Sequence, residues 1–233
     1  MIVSHRHGFL FIKTRKTGGT SVELALSEIC GPEDVVTPVS RPDERLRRGR
    51  GPQNYLRPWR ERPWDWPLRL LRARNRPDPA LMRFWPHMSA TQVREALGAE
   101  IFDRYLKVTI ERNPWDRELS GYHWAMRNAG PGRPSFEEHV LDPSGRHAFH
   151  NFEKYSIAGR IVADVVLRHD RLEDDFVALM ARLGIDPPPA LPAAKSGIRS
   201  ADSRDYRRHH TPATRAAVAE RYRREIEAFG FEF

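Results

Sequence analysis

The order of apolar and polar positions along the chain predicts strands that alternate with helices. Short apolar runs bounded by turn residues have the length of buried strands, whereas apolar residues that recur every three or four positions indicate a helix with one buried face. Capping residues and glycines mark where these helices begin and end. The pattern predicts a strand, loop and helix over 8–30, a helix over 89–97, a strand and helix over 105–111 and 114–127, a strand and helix over 161–167 and 171–183, and a last helix from 211 to 229.

Alternation of this kind is typical of an α/β protein whose mainly parallel central sheet is flanked by helices. Sheets of this class bind nucleotides at the carboxyl ends of their strands. A length of 233 residues suits one domain, 1–233, with a sizeable core. Residues 31–86 lack clear periodicity and are rich in proline, arginine and tryptophan, so we expect 41–86 to be a functional loop or lid on the acceptor side. Short helical turns are expected within it near 68–71.

The excess positive charge of the chain lies in the same segment. The chain has 39 basic and 31 acidic residues, a formal net charge of +8. Residues 41–76 contain 12 arginines and 4 acidic residues, which accounts for the whole excess, because the remaining 27 basic and 27 acidic residues cancel. With tryptophans at 59, 64 and 66, the segment could hold an acidic or sugar acceptor; a lid whose arginines are only solvated is the alternative.

Cysteine content and hydropathy indicate the compartment. The single cysteine, Cys30, excludes an intramolecular disulfide and suits a reducing environment, where it would be a small apolar residue near a helix end. No stretch is long enough to span a membrane, and the first residues lack the apolar core of a signal peptide. These features predict a cytoplasmic protein. No convincing cluster of metal ligands is present, so no metal is expected.

The loop after the first predicted strand has the composition of an anion-binding site. It contains two of the five lysines of the chain, Lys13 and Lys16, and leads into a helix. Backbone N–H groups of a glycine loop and of a helix N-terminus converge on one oxyanion, and lysine and hydroxyl side chains add charge-assisted hydrogen bonds. The lysines precede Gly18 and Gly19, which departs from the G-x-x-x-x-G-K-[ST] order; a tight turn with solvated lysines is the alternative. The loop reads Lys13, Thr14, Arg15, Lys16, Thr17, Gly18, Gly19, Thr20, Ser21.

A second candidate anion site follows the strand predicted at 105–111. Asn113 and Pro114 suit the N-cap and first position of a helix, which places Arg112 at the strand end. Asn113, Arg117 and Ser120 share one helical face by their spacing. Arg112 and Ser120 could therefore contact one phosphate through a guanidinium fork and a hydroxyl. A capped helix with solvated arginines is the alternative.

Together the two motifs resemble those of sulfotransferases. The sequence K-T-G-G-T-S at 16–21 resembles the loop that binds the 5′-phosphosulfate of 3′-phosphoadenosine-5′-phosphosulfate (PAPS). The sequence R-N-P-W-D-R-x-x-S at 112–120 resembles the motif whose first arginine and serine hold the 3′-phosphate. Over most of its length the chain looks like the family-2 group, which includes carbohydrate sulfotransferases and many bacterial members. Arg15 stands where that family usually has proline, and His169 and Asp170 stand where relatives often carry an aromatic residue and a glutamate.

The resemblance implies a P-loop-NTPase-like three-layer fold and PAPS-dependent sulfuryl transfer to a hydroxyl, of a carbohydrate or glycolipid acceptor, without a metal. In that mechanism Lys16 neutralises the charge that develops on the leaving phosphate oxygen. A loop near the end of the chain, Lys195 to Arg199, resembles one that closes over the nucleotide in relatives; a solvated basic turn is the alternative. The implied PAPS-binding residues are Arg15, Lys16, Thr17, Gly18, Gly19, Thr20, Ser21, Arg112, Ser120, Lys195, Ser196, Gly197 and Arg199.

The acceptor hydroxyl needs a general base, and His87 is the best candidate. Ser89 and Gln92 fit a capping box, so a helix should begin at Ser89 and His87 should lie just ahead of its N-terminus. The positive end of that helix would lower the pKa of His87 and favour the neutral, basic form. A capping or packing histidine is the alternative, and His5, His7 or a carboxylate are rival bases.

Two other functions compete with this interpretation. A nucleotide-dependent phosphotransferase would bind ATP and depend on Mg²⁺. A non-enzymatic polyanion-binding protein would use 41–76, and its salt-sensitive binding would survive Lys16→Ala and Arg112→Ala. The sulfotransferase interpretation predicts a small-molecule or glycan acceptor and no nucleic-acid partner.

Overall fold

In the part of the chain that the structure describes, five strands form one central sheet, and two short strands form a hairpin beside it. The computed structural model describes residues 1–61, 79–192 and 205–233. The turns predicted near 68–71, the tryptophans at 64 and 66 and the basic loop at 195–199 lie outside these residues. The strands are β1 Ile2–Ser4, β2 Phe9–Ile12, β3 Val35–Val36, β4 Leu106–Glu111, β5 Ser156–Ile157, β6 Arg160–Ile161 and β7 Val165–Arg168. The α-helices are α1 Gly19–Leu26, α2 Arg41–Glu44, α3 Ala90–Leu97, α4 Ala99–Arg104, α5 Pro114–Met126, α6 Phe136–Leu141, α7 Leu172–Arg182, α8 Pro212–Arg221 and α9 Arg223–Phe229.

The central sheet has the order β3-β1-β2-β4-β7. β2 pairs in parallel with β4, and β4 pairs in parallel with β7. β1 is antiparallel to both of its neighbours, so four of the five strands point in the same direction. This arrangement confirms the predicted mixed α/β class with a mostly parallel central sheet.

Both faces of the sheet are covered, as the alternation of side chains along β2 shows. Phe9 and Phe11 pack into a buried cluster with residues of α1 and α7, whereas Leu10 and Ile12 pack into a second cluster with residues of α3 and α4. Because successive side chains of a strand point to opposite faces, these two clusters lie on opposite sides of the sheet. Among the described residues, no helix combines the length and the apolar character needed to cross a membrane.

The prediction of one strand over 161–167 is wrong in its bounds, because the structure has two strands there. β6 pairs with β5 in the hairpin, whereas β7 belongs to the central sheet. Asp164 lies between them and binds Lys107 of β4. Its carboxylate accepts the Lys107 backbone N–H at 2.7 Å and lies 2.9 Å from the ammonium, and its own N–H donates to the Lys107 carbonyl at 2.8 Å. These polar contacts end the apolar run before β7 begins.

The last predicted helix is also divided, into α8 and α9. The chain leaves helical geometry at Tyr222, whose φ is −116° and ψ is 26°. The Tyr222 ring is buried and its hydroxyl donates to Glu118, which holds it against α5. Thr211 caps α8 and the left-handed Gly230 ends α9, as predicted.

The segment expected to be irregular contains elements that the sequence pattern missed. β3 adds an edge strand to the sheet, and the backbone of Gln53 pairs with Val36 through two 3.0 Å hydrogen bonds. The backbone N–H of Arg50 also donates to the Ser27 carbonyl at 3.0 Å, after the end of α1. Residues 31–54 therefore run along the β3 edge of the sheet. Strands of two or three residues carry too little periodic signal to be predicted.

A buried ion network fixes α5, the helix that follows β4. The Arg117 guanidinium is fully buried, donates to Glu111 at 2.7 and 2.8 Å and to Glu225 at 3.2 Å, and lies 4.4 Å from the centroid of the Tyr222 ring. Burial alone would lower its pKa, but the carboxylates outweigh burial and raise it, so Arg117 stays charged. The sequence grouped Arg117 with Ser120 on one face; instead Arg117 joins α5 to β4 and α9.

Candidate functional site

The glycine loop lies between β2 and α1, at the carboxyl end of β2. β2 and β4 are parallel neighbours, with Ile12 opposite Thr109, so the residues after both strands meet at one edge of the sheet. The Thr14 hydroxyl donates to the carbonyl of Ile110 and lies 2.8 Å from the Thr17 hydroxyl. Because the Thr14 proton is engaged, Thr17 is the donor of that pair. The Thr17 side chain therefore helps to fix the shape of the loop.

Two residues of the loop have left-handed backbone conformations. Gly18 has φ +84°, and a Cβ placed on it would lie 3.3 Å from the ring carbon Cδ2 of His169. Lys16 has φ 62°, which is uncommon for a residue with a side chain and costs about 1–3 kcal/mol. Such strain persists only where neighbouring contacts hold it; here Asn151 binds the backbone of Arg15, the residue before it, and Arg112 binds the Lys16 carbonyl.

Asn151 clamps the loop through its backbone. Its side-chain oxygen accepts the Arg15 N–H at 2.9 Å, and its amide nitrogen donates to the Arg15 carbonyl at 2.9 Å and to Glu111 at 3.2 Å. Asn151 is fully buried and lies 136 residues from Arg15. The sequence analysis missed it, because a lone asparagine in a predicted loop carries no local signal.

The N-terminus of α1 is open towards the loop. Gly18 is its N-cap, and among the described residues no side chain caps it and its first turn contains no acidic residue. Its N–H groups and the helix dipole therefore favour an anion at this end of α1.

Lys13 is engaged in a buried ion pair. Its ammonium donates to the buried carboxylate of Glu23 at 2.7 Å, and Glu23 also accepts from Thr37 at 2.8 Å. Burial by itself would raise the pKa of Glu23, but the Lys13 charge and the Met1 amine outweigh it and lower the pKa to about 2. Of the two lysines of the loop, Lys16 is therefore the one placed to meet a ligand.

Lys16 is half-buried and stands beside an exposed tryptophan. Its Nζ lies 5.6 Å from the centroid of the Trp124 ring, a cation–π contact. The Trp124 side chain on α5 is 42% exposed and also packs against the Arg127 guanidinium, 4.2 Å from the ring centroid. Sequence reasoning overlooked Trp124, although its place in the helix after the second motif was visible.

Arg112 joins the two predicted motifs. Its Nη1 donates to the Lys16 carbonyl at 3.3 Å, and its Nε donates to Asp116 at 2.5 Å, which orients the guanidinium. Ser120 lies on α5, half-buried, about 9 Å along the helix axis from Pro114 at 1.5 Å per residue. The structure thus brings Lys16 and Arg112 together and places Ser120 on the helix that continues from them.

His87 lies next to the glycine loop. Its Nδ1 is 3.0 Å from the Lys13 carbonyl, and since a carbonyl only accepts, Nδ1 carries the proton. Nε2 is then the basic nitrogen. Burial is the largest cause that lowers the pKa of His87, followed by the Lys13 charge, and the pKa is about 3. The sequence predicted this direction and attributed it to the helix N-terminus; burial and Lys13 account for it here. The capping box of Ser89 and Gln92 is confirmed.

The rival histidines lie at the other end of β2. His5 is bonded to the Tyr105 hydroxyl at 2.8 Å, and His7 to the Ile29 carbonyl at 3.1 Å. Both precede β2, whose four residues span about 13 Å at 3.3 Å per residue. They therefore cannot share a ligand with Lys16, and the geometry favours His87 over them.

The chain is similar to a known protein family. The model of the family described as "Sulfotransferase family" matches residues 1–232. An archaeal protein from Archaeoglobus fulgidus, described only as an uncharacterized protein, is 31% identical over 101 residues, which cover 42% of this chain and 83% of that protein. No solved structure matches. Because the family match covers essentially the whole chain, the protein belongs to the sulfotransferase family, in its family-2 group.

Proposed function

We propose that the protein transfers the sulfuryl group of PAPS to a hydroxyl group of a carbohydrate or glycolipid, in one domain with a P-loop-NTPase-like three-layer fold. One observation carries the proposal: the Arg112 guanidinium donates to the Lys16 carbonyl at 3.3 Å. This contact unites an anion loop after β2 and an arginine after β4. A nucleotide with phosphate groups at both ends needs two such sites side by side.

The loop residues fit a phosphosulfate. The uncapped N-terminus of α1, the left-handed Gly18 and the half-buried Lys16 together offer N–H groups and one ammonium to an anion. Arg112 and Ser120 are proposed to hold the 3′-phosphate. Further donor-binding residues in the proposal are Arg15, Thr17, Gly19, Thr20 and Ser21, together with Lys195, Ser196, Gly197 and Arg199, which lie outside the described residues.

PAPS supplies the sulfuryl group: its bond to the phosphate oxygen breaks as the acceptor oxygen bonds to sulfur. Lys16 Nζ is proposed to neutralise the charge that develops on the phosphate oxygen. His87 Nε2 is proposed to take the acceptor proton. A pKa of about 3 keeps His87 neutral but makes it a weak base. Burial is the largest cause of that low pKa, and the charges of Lys13 and Arg15 add to it, so a bound anion beside Arg15 would offset part of the charge effect and raise the pKa of His87.

The acceptor class is proposed from the surface beside Lys16. Trp124 exposes part of its ring near the Lys16 ammonium, where an acceptor hydroxyl has to arrive. Flat aromatic faces of this kind suit a sugar ring, and the arginine-rich segment 41–86 suits an acidic glycan. Some of those arginines have structural partners: Arg47 pairs with Glu44 at 2.7 Å, and Arg50 donates to the Cys30 carbonyl at 3.0 Å.

The experiment is an assay of PAPS turnover. The release of 3′,5′-adenosine bisphosphate (PAP) is measured with a panel of saccharides, glycolipids, simple alcohols and peptides, in the presence of a chelator. We expect saccharide-dependent release that Lys16→Ala abolishes. Arg104→Ala, at an exposed position of α4, is the matched control and should keep full activity. Transfer of phosphate from ATP that requires Mg²⁺, with no PAPS turnover, would contradict the proposal.

A further inference from the structure

Three ligand-bearing side chains converge on the far side of α5. Glu118 belongs to α5, His139 to α6, and His147 to the loop after α6; one nitrogen or oxygen atom from each lies within 4.8 Å of the others. Glu118 is two residues before Ser120, and at 3.6 residues per turn it points about 200° away around the helix. This group is therefore separate from the proposed PAPS site.

The carboxylate of this group has an oxygen without a hydrogen bond. Glu118 is completely buried, and its Oε1 accepts from the Tyr222 hydroxyl. Among the described residues, its Oε2 has no hydrogen-bond partner. Leaving a buried polar atom unsatisfied is costly, and more so when the group is charged. This oxygen needs a partner that the described side chains do not supply.

Two imidazoles and one carboxylate form a donor set that zinc prefers. The imidazoles of His139 and His147 lie side by side. Their centroids are 4.4 Å apart, and His147 Nε2 is 4.0 Å from Glu118 Oε2. Ligands of tetrahedral zinc are about 3.3 Å apart, so side-chain shifts of about 1 Å would complete the geometry.

We propose that Glu118, His139 and His147 bind a divalent transition-metal ion of the zinc class, with water in the fourth position. The ion links α5 to α6 and the loop that follows it. Such a link stabilises the helix that carries Ser120.

Arg221 competes with the ion for the same atoms. Its Nη1 lies 3.1 Å from His147 Nε2 and 3.9 Å from Glu118 Oε2, while its Nη2 donates to the Val140 carbonyl at 2.7 Å. A metal ion has to displace Nη1, which lowers the affinity of the native protein. Removing the guanidinium should therefore strengthen metal binding. If Glu118 and Arg221 formed only a structural ion pair, no such gain would be expected.

The test is calorimetric titration of the full chain, freed of metal with a chelator, with Zn²⁺ and separately with Co²⁺. We expect one ion per chain, a visible Co²⁺ spectrum of tetrahedral type, and a higher melting temperature with Zn²⁺. Loss of one ligand in His139→Ala, His147→Ala or Glu118→Gln should weaken binding about tenfold or more. Arg221→Gln should tighten it. Mg²⁺ and Ca²⁺, which prefer oxygen ligands, should not compete.

His150→Ala is the matched control, because His150 is an exposed histidine of the loop after α6. Its zinc affinity should equal that of the native protein. His139 is only half-buried, so its variant should fold, which circular dichroism of the metal-free protein checks. Absence of stoichiometric binding to the native chain would overturn the proposal, as would equal affinity in His139→Ala or weaker binding in Arg221→Gln. None of these results depends on sulfuryl transfer.

Discussion

Replacing Asn151 with alanine should weaken both the fold and the donor site. The variant loses the two 2.9 Å hydrogen bonds to the Arg15 backbone and the 3.2 Å bond to Glu111. At about 1 kcal/mol for each bond, the free energy of unfolding should fall by about 3 kcal/mol. For a chain of this length, 1 kcal/mol corresponds to about 2–4 °C, so the melting temperature should fall by about 6–12 °C.

A second variant separates the individual contacts. Asn151→Asp keeps the acceptor for the Arg15 N–H but loses both donated bonds and places a carboxylate beside Glu111. It should be less stable than Asn151→Ala at pH 7, because two carboxylates then face each other. This difference in stability should narrow in acid, where Glu111 is protonated early because burial already raises its pKa.

The assay combines thermal unfolding with calorimetric titration of PAP. Without the clamp, the strained Lys16 backbone loses part of its support, so PAP affinity should fall together with stability. Asn128→Ala, on the exposed surface after α5, should leave both quantities unchanged. If Asn151→Ala kept the melting temperature and the PAP affinity of the native protein, the clamping role of Asn151 would be refuted.

Three further predictions concern other parts of the site. Gly18→Ala forces a side chain into a left-handed conformation beside His169, which costs about 1–2 kcal/mol. Calorimetry should therefore show that this variant binds PAP more weakly. Gly130→Ala is the control, because a Cβ at Gly130 has open space around it, and it should bind PAP normally. His87→Ala should lower turnover of PAPS by about 10²–10⁴-fold and leave the dissociation constant of PAP unchanged, whereas full activity would exclude the base role. Glu23 has a folded-state pKa of about 2 against an ordinary 4.5, so its contribution of about 3 kcal/mol is present above pH 4.5 and is lost as the pH falls towards 2. Acid unfolding monitored by circular dichroism should show that loss, and Glu23→Gln should have a flatter stability profile over this range.

Local sequence signals predicted the elements that carry their own start and stop residues. The capping box at Ser89 and Gln92, the Asn-Pro start of α5 and the left-handed Gly230 each act within one helical turn, so the chain fixes them locally. The two anion motifs were readable for the same reason. Arg112 meets Lys16 because parallel strands bring their carboxyl ends to one edge.

The residues that the sequence did not reveal are held by contacts between distant parts of the chain. Asn151 binds Arg15 across 136 residues, and Tyr222 interrupts the last helix because Glu118, 104 residues away, binds its hydroxyl. The burial of Arg117 against Glu111 and Glu225 likewise depends on how α9 returns to the sheet. Helical spacing alone cannot tell such a buried ion pair from a ligand-binding face.

The central claim is tested most directly by the affinities of PAP and adenosine 5′-monophosphate for native protein and for Arg112→Ala. The two nucleotides differ only in the 3′-phosphate. The native protein should therefore bind PAP more tightly by the free energy of one hydrogen bond to a charged group, about 1.5–3 kcal/mol. Arg112→Ala should lose that preference; because it also loses the hydrogen bond to the Lys16 carbonyl, its affinity for the monophosphate should fall as well, but by less than its affinity for PAP. Equal affinities of the native protein for both nucleotides, or no binding of PAP, would contradict the account.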